Sequence, residues 1–213
     1  MPPRIIFAFF LILAGCRPKS PQPELPPQSN MPPKPELLYP YVITKEYLEH
    51  GAPQPDGFTK PLGNGLYITL VCDLNGVVRN ILPTDLAQLD LSADEALVRS
   101  QANLDQLIQS QKIRSTVFPN GPNGKPFILF GGHWAASAVC SWSGLHRISA
   151  RALGTERLVL SIPHREAMLI FPEGDAAYIQ AMKKMIRDKE ADGQKPLTWD
   201  LFDLTPDGLK PGV

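Results

Sequence analysis

The feature that most constrains this chain is a hairpin of two almost wholly apolar segments, residues 157–162 and 167–171. Apolar side chains at successive positions, rather than at alternate ones, are typical of strands that are buried on both faces. An apolar strand at residues 127–130 and a helix at residues 134–153 precede the hairpin. These segments predict a central sheet against which the rest of the chain packs. The predicted helix should bury five apolar side chains: Trp134, Ala138, Trp142, Leu145 and Ile148.

Hairpins followed by helices recur along the chain. Further hairpins are predicted at residues 66–82 and 113–130, and further helices at residues 93–109 and 175–190. This order predicts an α+β fold, with a mainly antiparallel sheet built from hairpin-helix units and helices packed on one face. A last strand is predicted at residues 197–204.

Local signals mark several of these boundaries. Asn75-Gly76 is typical of a two-residue hairpin turn, and Ser92 with Glu95 forms a capping box for the first helix. Residues 38–43 are predicted as an edge strand, because Pro40 cannot donate to a central ladder. Residues 51–65 are predicted as a loop.

Residues 1–15 are predicted to be a lipoprotein signal peptide. Arg4 is followed by an apolar run at residues 5–13, which is shorter than the about 20 residues that span a bilayer. The run ends in Leu13-Ala14-Gly15-Cys16, which resembles a bacterial lipobox. The resemblance implies cleavage before Cys16 and acylation of Cys16, so we expect a lipid anchor on the extracytoplasmic side of the cell membrane or outer membrane. The alternative is an ordinary signal peptide or an uncleaved anchor.

Residues 16–36 are predicted to be the lipidated cysteine and a proline-rich stalk. Eight prolines fall among polar side chains in this segment, a composition that favours extended polyproline II structure. About 20 residues at about 3.1 Å each would reach roughly 60 Å from the bilayer. A proline-rich ligand for a partner domain is the alternative. Residues 37–213 are predicted to form a single globular α+β domain.

The charges and histidines exclude several function classes. Lys and Arg total 21, as do Asp and Glu, and no basic stripe with interleaved aromatic residues indicates a nucleic-acid partner. The four histidines, His50, His133, His146 and His164, lack the spacing of known metal motifs. We therefore expect neither a metal nor a cofactor.

From about residue 66 to residue 211 the chain resembles the YtpQ-like family of bacterial proteins of unknown function. The resemblance rests on five segments: residues 73–82, Asn103-Leu104, Ala136-Ser137, residues 161–166 and residues 196–198. The most specific segment is the Pro-x-Arg-acid turn at residues 163–166, where the family more often has Asp in place of Glu166. The resemblance implies no activity.

The turn at residues 163–166 is the first candidate binding site. His164, Arg165 and Glu166 offer a general base, a guanidinium and a carboxylate. Arginine can bind a carboxylate or phosphate through two parallel hydrogen bonds, so the turn could recognise an anion. Alternatively, it is a solvated turn whose charged groups pair with neighbours or brace a helix end.

The second candidate site is Gly131-Gly132-His133-Trp134, just before the predicted second helix. Free backbone N–H groups at a helix N-terminus bind anions, and His133 could add charge there. Gly132, His133 and Trp134 are therefore candidate ligand contacts. Alternatively, the glycines only let the strand turn sharply into the helix.

Cys72 and Cys140 could form a disulfide in an oxidising compartment. Alternatively, Cys72 is a small core residue of its strand. Helical spacing places Cys140 beside Arg147 and Arg151, away from the face that should meet the sheet, where a thiolate nucleophile is a further alternative. No nucleophile motif or catalytic constellation is recognisable. The expected function is a non-catalytic envelope binding or assembly module with a possible envelope protein partner. The alternative is an envelope hydrolase that uses His133 or His164 as general base.

Overall fold

The computed structural model describes residues 32–50, 58–74, 76–193 and 196–212. The predicted signal peptide, Cys16 and most of the predicted stalk lie outside these residues, and so does Asn75 of the predicted hairpin turn. Within the described residues, the strands are β1 (Leu38–Thr44), β2 (Lys60–Gly63), β3 (Leu66–Leu74), β4 (Val77–Asn80), β5 (Arg114–Phe118), β6 (Phe127–Gly131), β7 (Leu158–His164), β8 (Ala167–Pro172), β9 (Leu201–Thr205) and β10 (Gly208–Pro211). The α-helices are α1 (Lys45–His50), α2 (Pro83–Leu89), α3 (Ala93–Gln109), α4 (Leu145–Leu153) and α5 (Ala176–Glu190).

The strands form two antiparallel sheets. In the smaller sheet, β3 lies between β1 and β2, and its C-terminal half also pairs with β4. The larger sheet has the order β10-β9-β7-β8-β6-β5. The α+β class and the antiparallel pairing are therefore confirmed, and the hairpin β7–β8 lies at the centre of the larger sheet as its apolar sequence predicts.

Helices cover both faces of the larger sheet, whereas the sequence predicted helices on one face. Val159 and Phe171 pack with Tyr178 of α5 on one face. Leu160 and Ile170 join a second cluster with α4 and a six-residue 3-10 helix, Ala136–Ser141. Alternate residues of a strand point to opposite faces, so this apolar hairpin is buried between two helical layers.

The predicted helix at residues 134–153 is interrupted, and this prediction was wrong in detail. The 3-10 helix Ala136–Ser141 ends at Trp142, whose extended backbone (φ −75°, ψ 123°) separates it from α4. Gly144 immediately precedes α4, and a Cβ added to this residue would lie 3.1 Å from the Trp142 ring. Because the break changes the helical phase, Ile148 is 46% exposed instead of buried.

Other boundaries follow local signals. Ser92 and Glu95 form the predicted capping box, since the Ser92 N–H donates to the Glu95 carboxylate at 2.8 Å and the Glu95 N–H donates to Ser92 Oγ at 3.3 Å. Strand β2 falls within the predicted loop at residues 51–65, and the hairpin β9–β10 replaces the single strand predicted at residues 197–204. Helix α2 was not predicted at all.

The two cysteines of the globular region are free and buried. Cys72 packs on the helix-facing side of the smaller sheet, and Cys140 belongs to the largest core cluster. Burial raises the pKa of the Cys140 thiol to about 12. Cys72 is thus the small core residue that its strand predicts. The prediction that Cys140 faces away from the core was wrong, because the break in the predicted helix turns this residue inward. The two thiols do not form a disulfide.

Candidate functional site

The two predicted binding segments lie next to each other. Gly131 at the end of β6 pairs with Ala167 at the start of β8. Beyond the corner, the Ser137 N–H donates to the carbonyl oxygen of Arg165 at 3.0 Å. The chain between Gly131 and Ser137 therefore runs along the tip of the β7–β8 hairpin. Trp134 and Arg165 both lie against the Tyr41 ring.

Trp134 is the centre of an aromatic cluster. Its ring meets Tyr39 edge-on at a centroid distance of 5.7 Å and Tyr41 at 5.8 Å. Its indole N–H donates to Asp73 Oδ2 at 3.3 Å, and Asp73 Oδ1 accepts the Gly76 N–H at 2.7 Å. The hairpin turn thus holds the carboxylate that orients the indole. Such edge-on aromatic pairs are favourable beyond their area burial.

Arg165 completes this cluster from the other side. Its guanidinium lies 4.6 Å from the Tyr41 ring centroid and 5.7 Å from that of Tyr47, which is cation–π geometry. Its Nε donates to the Val42 carbonyl oxygen at 3.3 Å. The described hydrogen bonds of this side chain use Nε alone. We call these five residues, Tyr39, Tyr41, Tyr47, Trp134 and Arg165, the Trp134 cluster.

These contacts limit how Arg165 could bind an anion. Its Nε binds the edge of β1, and the guanidinium packs on two tyrosine rings. This agrees in part with the alternative in which the charged groups of the turn pair with their neighbours. The two Nη groups keep donors that can point to a ligand. Burial raises the pKa of Tyr41 and of Tyr39, and the Asp73 charge adds to the shift of Tyr39. Both phenols are consequently neutral at physiological pH.

His133 lies beside the cluster as a half-buried, uncharged imidazole. Its ring centroid is 5.2 Å from that of Trp134. Burial lowers the pKa of His133 below its ordinary value; Asp73 opposes this shift, and Lys112 adds to it. Because Nδ1 accepts the Ala135 N–H at 3.2 Å, the proton of the neutral ring sits on Nε2. His133 therefore offers a hydrogen-bond donor, not a positive charge.

The helix N-terminus predicted at this corner is not formed. The chain turns after Gly132, which has φ +84°, and continues into the 3-10 helix Ala136–Ser141. An added Cβ at Gly132 would lie 2.9 Å from Nε of Arg114. Glycine is required here by backbone conformation and by this close approach, which is the role described by the alternative reading.

His164 and Glu166, the other two residues predicted at the hairpin tip, do not join the Trp134 cluster. A register shift between Ser161 and His164 brings His164 into β7, so the turn consists of Arg165 and Glu166. His164 is 7% exposed. Its Nε2 lies 2.7 Å from Glu190 Oε2 at the end of α5, and its Nδ1 accepts the Glu166 N–H at 3.2 Å. The side chain of Glu166 is exposed.

The contacts of His164 indicate a structural role. They give little support to the alternative in which His164 is the general base of a hydrolase. Both ring nitrogens are engaged, and Gly193 packs directly against the ring. His164 joins the hairpin tip to the end of α5. Although a carboxylate lies within hydrogen-bond distance, substrate has no access to the imidazole. In the part of the chain that the structure describes, no serine hydroxyl is hydrogen-bonded to His133 or His164.

A cleft of about 440 Å³ opens where the predicted helix breaks. It is lined in part by Ser141, Trp142 and His146. The Ser141 hydroxyl donates to the Ala138 carbonyl oxygen at 2.8 Å and accepts from Gln101 at 3.0 Å, and His146 Nε2 donates to the Glu156 carbonyl oxygen at 3.0 Å. The Ser141 hydroxyl and the His146 ring therefore serve structural hydrogen bonds.

Sequence reasoning missed the tyrosines and Asp73. A signal existed, because Tyr39 and Tyr41 alternate along β1 and must share the face opposite Leu38 and Val42. Their meeting with Trp134 depends on the packing of the two sheets, which no local pattern shows.

The described residues hold no cluster of three or more His, Cys, Asp or Glu side chains that could bind a metal. None of their helices is both long and apolar enough to cross a bilayer. Comparisons of the chain with family models, curated proteins and solved structures find no match. The resemblance to the YtpQ-like family therefore stays a prediction.

Proposed function

We propose that this chain is a non-catalytic binding or assembly module of the bacterial cell envelope, with the Trp134 cluster as its contact surface. One observation carries the proposal: two segments distant in sequence, each a candidate contact, converge on Tyr41. Trp134 packs on one side of this ring and the Arg165 guanidinium on another.

The composition of the cluster supports this role. Tryptophan, tyrosine and arginine are the residue types that dominate the energetics of protein–protein contacts. All members except Tyr41 are partly exposed, and the exposed Gly132 and Glu166 lie at the rim. The free donors are Nε2–H of His133 and the Nη groups of Arg165. We infer that a partner presents hydrogen-bond acceptors, such as carboxylates or carbonyl groups, against an aromatic surface.

The proposed location follows from the N-terminal sequence. Acylation of Cys16 would attach the module to the membrane, and the proline-rich residues 17–36 would hold it away from the lipid. Replacing Cys16 with serine should abolish incorporation of a labelled fatty acid and release the protein from the membrane fraction. Retention of the label by the serine variant would refute acylation at Cys16.

A crosslinked pull-down from intact membranes tests the contact surface. We would compare the wild type with two cluster variants, Arg165→Ala within the Trp134 cluster and His133→Ala, which removes the imidazole that lies beside Trp134. Trp199→Ala serves as an exposed control residue outside the cluster. The two cluster variants should reduce capture of a specific partner by about tenfold, which corresponds to about 1.4 kcal/mol. The Trp199 variant should capture as much as the wild type.

His133→Ala is the decisive variant, because Arg165 also supports β1 through Val42. Each variant must keep the wild-type melting temperature before its capture is compared. If both cluster variants fold normally and capture the partner as the wild type does, the Trp134 cluster is not the contact surface. If the wild type captures no specific partner, the binding module itself loses its support.

A further inference from the structure

Strand β5 is an unprotected edge of the larger sheet. It pairs with β6 alone, in an uninterrupted register from Arg114↔Gly131 to Phe118↔Phe127. All five of its residues are exposed, including Val117 at 48% and Phe118 at 38%. Beyond the pairing with β6, none of the hydrogen bonds described for this chain involves the backbone of residues 114–118. Within residues 32–50, 58–74, 76–193 and 196–212, nothing pairs with the N–H and C=O groups on the outer side of this backbone, which makes it a template for a further strand.

The edge strands β1, β2 and β10 carry features that oppose strand addition. In β1, Pro40 lacks an N–H, and the carbonyl oxygens of Leu38 and Val42 are occupied by Asn103 and Arg165, respectively. Strand β2 has four residues, contains Pro61 and is bulged. Strand β10 also has four residues and ends at Pro211. By contrast, β5 has no proline, no bulge and no charge other than Arg114 at its first position.

We propose that β5 pairs with β5 of a second copy of this chain, antiparallel across a two-fold axis at Thr116. This register places Thr116 opposite Thr116, Ser115 opposite Val117 and Arg114 opposite Phe118. No like charges face each other. Threonine pairs are favourable across strands. The Phe118 ring stacks on Phe127 at a centroid distance of 4.7 Å, and the Arg114 guanidinium lies against Gly132. The self-complementarity that a two-fold interface requires therefore rests on the threonine pair and on the absence of opposed like charges. The inference does not rest on the proposed function.

The flanking residues are compatible with the same register. Extending it by two residues puts Lys112 opposite Asn120 and Ile113 opposite Pro119, again without opposed charges. Pairing with a strand of another protein would not require β5 to be complementary to itself. The sequence of β5 therefore favours a second copy of this chain as the partner.

Cysteine crosslinking of the purified full chain tests this register. Thr116→Cys would place two thiols on directly opposed residues about 5 Å apart, which allows a disulfide. Ser115→Cys and Val117→Cys would each place them diagonally, about 7–8 Å apart. Val98→Cys, on α3 and 71% exposed, controls for random collision. The native Cys72 and Cys140 are buried, and the wild type reports any background from Cys16.

After mild oxidation, Thr116→Cys should give a reducible band at the mass of two chains, at least about fivefold stronger than the diagonal variants and the Val98 variant. Equal crosslinking by all four variants would indicate collision and would overturn the proposal. A Thr116→Cys product of any other mass would show that β5 pairs with a different protein, which also overturns the second copy as occupant.

Sedimentation of the full chain in mild detergent gives an independent test. The wild type and Thr116→Val should sediment as dimers, since valine favours an extended strand. Thr116→Lys should sediment as a monomer with unchanged circular dichroism, because it opposes two lysines at the axis. A monomeric wild type, or a dimeric lysine variant, would refute the pairing.

Discussion

Loss of the Asp85 carboxylate should destabilise the contact between β4 and α2. Asp85 is 6% exposed and accepts three hydrogen bonds: from Arg79 Nη1 at 2.6 Å, from Arg79 Nη2 at 2.9 Å and from the Leu82 N–H at 2.8 Å. The pair joins β4 to the start of α2. In Asp85→Ala, two guanidinium donors and one backbone donor lose their acceptor.

The size of the effect follows from the burial of both partners. Removing one member of a fully buried ion pair costs about 3–5 kcal/mol. The Arg79 side chain is 24% exposed and can recover some hydration, so we expect Asp85→Ala to lower the free energy of unfolding by about 2–3 kcal/mol. In a region of this size, that loss lowers the melting temperature by roughly 4–10 °C.

Urea titration with Arg79→Ala, Asp85→Ala and the double variant measures this directly. The midpoint should fall while the m value stays constant. The double variant should be less destabilised than the sum of the single variants, because either single change already breaks the pair. A loss below about 0.5 kcal/mol for Asp85→Ala, the size of an ordinary surface change, would refute the reasoning.

The pH dependence supplies a second check. Burial alone would raise the pKa of Asp85, but hydrogen bonds from Arg79 and Leu82 and the Arg79 charge lower it below the usual 3.8. A carboxyl whose folded pKa is depressed contributes stability above its unfolded pKa and loses it as the pH falls through the folded value. The difference between wild type and Asp85→Ala should therefore be constant at neutral pH and shrink below about pH 4.

Two further outcomes are expected. Cys72 and Cys140 should resist a thiol reagent at pH 8 in the folded protein and react after unfolding, because burial raises the pKa of both thiols. Rapid labelling of either cysteine in the native state would contradict their core positions. Gly132→Ala should destabilise the protein by about 1–2 kcal/mol in urea titration, because φ is +84° there and the Arg114 guanidinium must move; an unchanged midpoint would show that the corner relaxes freely.

The parts of the fold that the sequence predicted well are those with local causes. The β7–β8 hairpin follows from two continuous apolar runs, and the start of α3 follows from the capping box of Ser92 and Glu95. Helix α2 has local start signals that sequence reasoning missed: Pro83 is at its first position, and Asp85 accepts the Leu82 N–H. The ion pair of Asp85 with Arg79 is a contact between elements, which no local pattern shows. The break at Trp142 was missed because the apolar periodicity continues through it.

The candidate site was predicted in part. Trp134, His133 and Arg165 do lie near one another. They were chosen for local reasons, because the sequence predicted a helix N-terminus and an exposed turn, and the structure has neither in the expected form. A bulge in β7 draws His164 into the sheet, and a one-position shift of this kind reverses which face a side chain occupies. Tyr39 and Tyr41 were visible as alternating residues, yet their contact with Trp134 requires the packing of two sheets.

The double role of Arg165 determines how the contact surface can be tested. Its Nε closes the free edge of β1 at Val42, while its ring-stacked guanidinium forms one wall of the Trp134 cluster. Weakened binding by Arg165→Ala could therefore arise from a lost contact or from a loosened strand. His133 makes no described hydrogen bond to β1, and its described hydrogen bonds, from the N–H groups of Ala135 and Ala136, lie within its own turn. A loss of binding shared by His133→Ala and Arg165→Ala, with β1 intact in both, isolates the surface from the strand edge that supports it.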